Sequence, residues 1–371
     1  MIKINEGQLM GEIYYAGNEL HTYSNNKSLI TSNYNGFKSF NELLADEFNK
    51  VILWNKNIRF DRMEYIASKD NSKALQKFIE NIDKNKELIY STADNYCTYF
   101  ECLDMNDYLY RYYDCIRKYS EKDFKDLILG YFSTYGNDIY KIAKKYFDEN
   151  RINFGSNIDR DYGGFFMSIP FIGSGYIVIG SDNYDSKIAA FAIHEIGHAI
   201  DLEKYLFNQM KKVSIFEDYL IEVPSTAYEL GFYDYLKKNK IDIDGSMILN
   251  NMRVCNTYYW LSVLQDILAR DVNILCCNNY LTEDGMIYSS RDSALYGLAY
   301  YISMHLNLIN NSNKEEFLKV LNNVTTMRKE MPLEGIIELT GFSIDDFVSG
   351  KYIASKIEND FLELKRRYNH L

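Results

Sequence analysis

The sequence predicts a mainly α-helical protein carrying one small pair of β-strands. Apolar residues recur at three- and four-residue spacing through most of the chain, the mark of helices with one buried face. Only 3 prolines and 20 glycines occur in 371 residues, too few for a turn-rich β-sandwich. The one glycine-dense window, 151–183, is where two short runs of β-type residues sit. Hydrophobic residues make up 47% and charged residues 25%, ordinary for a globular chain long enough to bury a sizeable core.

Residues 1–35 are polar and rich in Asn and Tyr, and read as a weakly structured segment. A helical region is expected over 36–122. Its stripe runs through Phe40, Leu43, Leu44, Phe48, Val51 and Ile52, resumes at Leu75, Phe78, Ile79 and Ile82, and continues with Tyr90, Tyr96, Tyr99 and Phe100. A second domain, 123–371, opens with two helices between Phe124 and Glu149, broken near Gly136. GFFMSIPF and YIVIG then read as two short strands, a hairpin or edge pair. Helices resume after Asp185 or Ser186, either of which suits an N-cap, and end in the amphipathic stretch Ile353 to Tyr368.

A formal net charge of −11 disfavours nucleic acid and anionic membranes as partners. No run of eighteen apolar residues offers a membrane span, and the start lacks the basic and apolar regions of a secretory signal. The six cysteines form no C-x-x-C pair, so free thiols in a reducing cytoplasm are expected.

Within IAAFAIHEIGHAIDLEKYL stands His194-Glu195-Ile196-Gly197-His198. On a helix, His194 and His198 lie one turn apart on one face, so both imidazoles can reach one ion. Glu195 is then placed to address water beside the metal. Zinc suits such a site because it takes imidazole and carboxylate and keeps a position open. With 5 histidines in the chain, chance gives this spacing on the order of once in a few hundred such sequences. A third histidine at the metzincin position is excluded, since Lys204 stands there. The following stretch, FEDYLIEVPSTAYELGFYDYL, offers Glu217, Asp218, Glu222 and Glu229, and pattern alone does not choose between them.

H-E-x-G-H followed 28 residues after its first His by E-V-P-S-T-A-Y-E resembles the M3 family of zinc peptidases, which includes the oligoendopeptidases. The resemblance implies a zincin-type, gluzincin-like helical catalytic core over 123–371, with a strand pair bordering the cleft. It implies Glu222 as the third zinc ligand, and Glu229 as a carboxylate that orients a ligand histidine or tightens the helix pair. Gly163 to Ser168 and Gly175 to Ile179 are similar to the family's glycine-aromatic segment and the strand ahead of its metal helix. The match runs from about 123 to 310 and extends less closely over 40–122 and the C-terminal tail. It implies a shortened N-terminal region.

The family's tyrosine cluster looks like Leu295-Tyr296-Gly297-Leu298-Ala299-Tyr300-Tyr301, which implies Tyr296 and Tyr300, above all Tyr300, as donors to the reacting carbonyl oxygen. In a chain with 34 tyrosines, simple packing is the competing role for both. The family's histidine ahead of this cluster is absent; Tyr288, Arg291 and His305 are the residues that could replace it.

The expectation is a cytoplasmic zinc-dependent endopeptidase acting on short or unfolded peptides, with Glu195 as general base. The competing reading is a peptide-binding or regulatory protein that keeps the fold and metal but has lost efficient catalysis. A secreted, toxin-like protease fits less well, for want of a signal and because of the E-V-P-S-T segment.

Overall fold

The computed structural model describes residues 80, 82–101, 116–154, 164–169, 174–181, 183–206, 220–270, 280–281, 287–288, 290–327 and 333–368. The expected polar segment, all of the 37–79 stripe, and Cys102, Cys115, Cys276 and Cys277 lie outside the described residues. Of the remaining cysteines, Cys97 and Cys255 are free thiols.

The helices are α1 (Lys86–Glu101), α2 (Glu121–Ser133), α3 (Asn137–Asp148) and α4 (Ser186–Ile200), which runs on into a π-helical turn, Asp201–Leu206. Then come α5 (Glu222–Lys238), α6 (Ile243–Arg270), α7 (Ser290–Ser312), α8 (Lys314–Met327), α9 (Leu333–Leu339), α10 (Ile344–Ser349) and α11 (Lys351–Tyr368). Strands β1 (Ile152–Phe154), β2 (Gly164–Ile169) and β3 (Ser174–Ile179) precede α4, and β4 (Tyr280–Leu281) and β5 (Ile287–Tyr288) pair ahead of α7. The mainly helical class is as the sequence predicts.

The expected break between α2 and α3 falls at Gly136, whose φ of 95° suits a residue without a side chain. The two expected strands are β2 and β3, an antiparallel pair with Gly164 opposite Ile179 and Met167 opposite Tyr176. The structure adds a third. β1 joins β3 in parallel, Ile152 opposite Ile177 and Phe154 opposite Ile179, so among the described residues the order is β1-β3-β2 with β2 at an edge.

Helix α4 packs beneath β2 and β3 and against α5, which in turn packs on α7 and α6. The Asp185 carboxylate caps it by accepting from Ile188 N at 2.8 Å. Ser186 in its first turn donates to Asp242 at 2.6 Å, and Asp242 also accepts from Gly245 N at 2.9 Å. One buried carboxylate therefore ties the start of α4 to the start of α6. Ile193 and Ile196 are fully buried, each contributing about 1.5–3 kcal/mol of apolar burial. The core is continuous from Ile82 and Ile89 through α4, α5 and α7 to Phe361.

Where α4 crosses α5 the two main chains nearly touch. A side-chain carbon at Gly197 would lie 2.6 Å from the Ser225 Cα, so only glycine permits this approach. That contact places the face of α4 bearing His194 and His198 directly over the first turn of α5.

Candidate metal centre

His194 and His198 project together from α4 with ring centroids 5.0 Å apart. Both reach Glu222, the first residue of α5: His194 Nε2 is 3.0 Å and His198 Nε2 3.3 Å from the same oxygen, Oε2. Ligands about 2.0–2.2 Å from a tetrahedral zinc lie about 3.3–3.5 Å from one another, so this donor set and its spacing fit that ion. Among the described residues, these three form the one cluster of His, Cys, Asp and Glu whose ligand atoms all fall within 4.8 Å. The start of α5 is held in place from the far side, where Ser303 of α7 donates to the Val223 carbonyl at 2.9 Å.

Glu229 lies two turns along α5 and meets the other nitrogen of His194, Nδ1 to Oε2 at 2.9 Å. It also accepts from the Tyr233 hydroxyl and from Arg253 of α6, whose Nε is 3.1 Å from Oε1. A carboxylate on Nδ1 fixes the ring so that Nε2 faces the ligand cluster.

The electrostatics follow from burial and this crowd of carboxylates. Burial alone would depress the His194 imidazole, but Glu222 and Glu229 on its two nitrogens push its pKa up to about 10. Burial would raise Glu222, yet His198 and His194 hold it well below the usual carboxylate range. Burial likewise opposes ionisation of Glu229, and Arg253 with His194 brings it down to about 2. Glu195 moves the other way: burial pushes it up, and the two histidines only partly offset this. In these directions the carboxylates of Glu222 and Glu229 are held ionised against the histidines, while Glu195, short of a pairing partner of its own among the described residues, is pushed toward holding a proton.

Glu195 is buried beneath β2. A carbon added to Gly164 would lie 3.4 Å from Glu195 Cγ and 2.8 Å from Ile179 Cδ1, so the strand passes close over the carboxyl. Phe166, two residues along, lies parallel to the His198 ring at 6.4 Å.

The Tyr300 ring lies 4.4 Å from the Arg253 guanidinium carbon. Burial raises its pKa above the ordinary phenol value, with the charges of Glu222 and Glu229 adding to the effect, so the hydroxyl keeps its proton. Tyr296 is one turn back, 5.6 Å from Tyr300 and 5.8 Å from Trp260 between ring centroids. His305 is not brought to the site. It lies among Tyr301, Phe342 and Phe347, with Nδ1 donating to the Tyr301 carbonyl at 3.1 Å. The side chains of Tyr288 and Arg291 lie outside the described residues.

A solved structure of a candidate oligoendopeptidase F from Bacillus anthracis strain Ames aligns with 94% of this chain at a TM-score of 0.50 and 12% identity. The chain has an oligoendopeptidase-like fold. It spans 65% of that longer protein. Two further structures align more loosely. Pz peptidase A with an inhibitor aligns at TM-score 0.48 and 12% identity, covering 97% of this chain and 71% of its own. A candidate peptidase from Chlamydophila abortus aligns at 0.46 and 15%, covering 88% and 61%. No protein-family model and no curated protein sequence matches the chain. No described helix is long and apolar enough to cross a membrane.

Sequence reasoning missed Arg253 and Tyr233. Tyr233 is one turn beyond Glu229, a spacing that offered a signal. Arg253 offered a weaker one, a cation within the long apolar-flanked stretch NNMRVCNTYYWL.

Proposed function

We propose that this chain is a zinc-dependent peptidase in which His194, His198 and Glu222 hold the metal. The observation that carries the reading is the convergence of both Nε2 atoms on one Glu222 oxygen, with Glu229 behind His194. When bound, zinc supplies a Lewis acid that polarises a carbonyl and acidifies water to a pKa near about 7.

The chain's own residues do the rest. The edge of β2 that pairs with no strand among the described residues offers backbone groups along which an extended peptide can lie, with its scissile bond over Glu195. Glu195 takes a proton as water attacks the carbonyl carbon, then delivers it to the amine nitrogen as the C–N bond breaks. Tyr300, protonated and buried, donates to the carbonyl oxygen as negative charge develops there; such a donor contributes about 3 kcal/mol. Tyr296 packs against Tyr300 and limits its swing. Internal bonds of short or unfolded peptides are the proposed substrates, in a cytoplasmic setting.

Zinc content by mass spectrometry, paired with cleavage of a quenched peptide library with and without chelator, tests this. Stoichiometric zinc with chelator-sensitive cleavage is the expected result. Zinc without cleavage supports the peptide-binding reading, and absence of zinc overturns both.

A further inference from the structure

We infer that Arg253 is a positioning residue that sets the His194 ring and the Tyr300 phenol together through one buried guanidinium. The inference rests on the zinc-peptidase reading. Arg253 lies on α6, which carries neither a proposed ligand nor the proposed base. Its Nε and Nη2 engage both oxygens of Glu229, the carboxylate that accepts from His194 Nδ1. The carbon of the same guanidinium lies over the Tyr300 ring, 4.4 Å from its centroid.

Arginine suits both tasks. Its fork pairs with a carboxylate through two parallel hydrogen bonds and so fixes the plane of that carboxylate. Its flat face stacks on an aromatic ring. Lysine supplies the charge but neither the fork nor the face. Glu229 is 1% exposed, so it relies on Arg253, Tyr233 and His194 rather than water for its partners. Rotation of the guanidinium would therefore turn the carboxylate, tilt the His194 ring against the metal, and release the phenol at once. Two parts of the reaction, held on α4 and α7, are mechanically joined through α6.

Four variants (R253K, Y300F, their combination and a charge-free double variant) and four readouts test the idea: zinc affinity against a chelating dye, the absorption spectrum of the cobalt-substituted protein, kcat and KM on a quenched peptide, and the melting temperature. R253K should melt close to the parent but bind zinc roughly 10- to 100-fold more weakly. Its cobalt spectrum should shift, and kcat should fall with KM little changed. Y300F should lose kcat while keeping parental zinc affinity and spectrum, and its loss should not add to that of R253K. Where R253K folds poorly, E229Q/R253M removes both buried charges while the amide oxygen introduced at position 229 still accepts from His194 Nδ1. This double variant too should bind zinc weakly with a shifted spectrum. Parental zinc affinity, spectrum and kcat in folded R253K, or parental zinc affinity and spectrum in the double variant, overturn the inference. A parental protein that binds no zinc and cleaves nothing sinks the proposed function instead.

Discussion

His194 and His305 are both buried histidines on helices, and their surroundings drive them in opposite directions. His194 is gripped on each nitrogen by a carboxylate and its pKa rises to about 10. His305 is ringed by Tyr301, Phe342 and Phe347, and burial takes its pKa down to about 4, with the Tyr301 carbonyl opposing weakly. Its Nε2 has no hydrogen-bond partner among the described residues. Residue type is the same in both places. What differs is whether the neighbours supply charge, and this separates a metal-ligand candidate from a packing residue.

The comparison can be pressed from the reactive side first. E195Q is expected to lower kcat by roughly 100- to 10,000-fold while zinc content stays parental, since the carboxyl addresses water and not the ion. Steady-state kinetics beside metal analysis decides it; parental turnover in E195Q would remove Glu195 from the chemistry.

The aromatic cage makes a smaller claim, about acid. With a folded pKa near 4 against 6.5 unfolded, the native state binds fewer protons between these values. The contribution of His305 is thus fully present above about pH 6.5 and is lost as pH falls toward 4, at a cost of up to about 3 kcal/mol. Urea unfolding at pH 7 and pH 4.5 should show H305F losing less stability on acidification than the parent. Equal losses would mean that the cage does not hold this ring neutral.

The smallest expected effect concerns the helix crossing that serves only one of the two histidines. G197A should lower stability by about 1–3 kcal/mol and weaken zinc binding, because the added carbon meets the Ser225 main chain. The acid response of His305 should stay as it is. Thermal melts with zinc titration measure both, and unchanged zinc affinity would show that the α4–α5 spacing is not what sets the ligand geometry.

The helix carrying H-E-I-G-H was legible because cap, apolar run and motif all agree within fifteen residues or so of local sequence. The β2–β3 pair was legible for the same reason, through short β-type runs between glycines. β1 was not: Ile152-Asn153-Phe154 is too short for any period to show, and its pairing with β3 is made by tertiary packing. Nor did pattern select Glu222 over Glu217, Asp218 or Glu229; the family resemblance did, and the structure brings Glu222 to both histidines. Arg253 stayed hidden because its significance lies wholly in what α5 and α7 place beside it. His305 was legible as a residue near the tyrosine cluster, but a shift of five positions from Tyr300 turns it to another face of α7.

The near-contact of Gly197 with Ser225 also bears on how such a chain can change over generations. If the Gly197–Ser225 approach sets the spacing of the site, as G197A tests, the site asks strictly for one absent side chain and a few ligands. Around it, apolar residues of similar volume can be exchanged at little cost. Substitutions should therefore be tolerated least at Gly197 and the three ligand positions, and most among the apolar side chains that surround them.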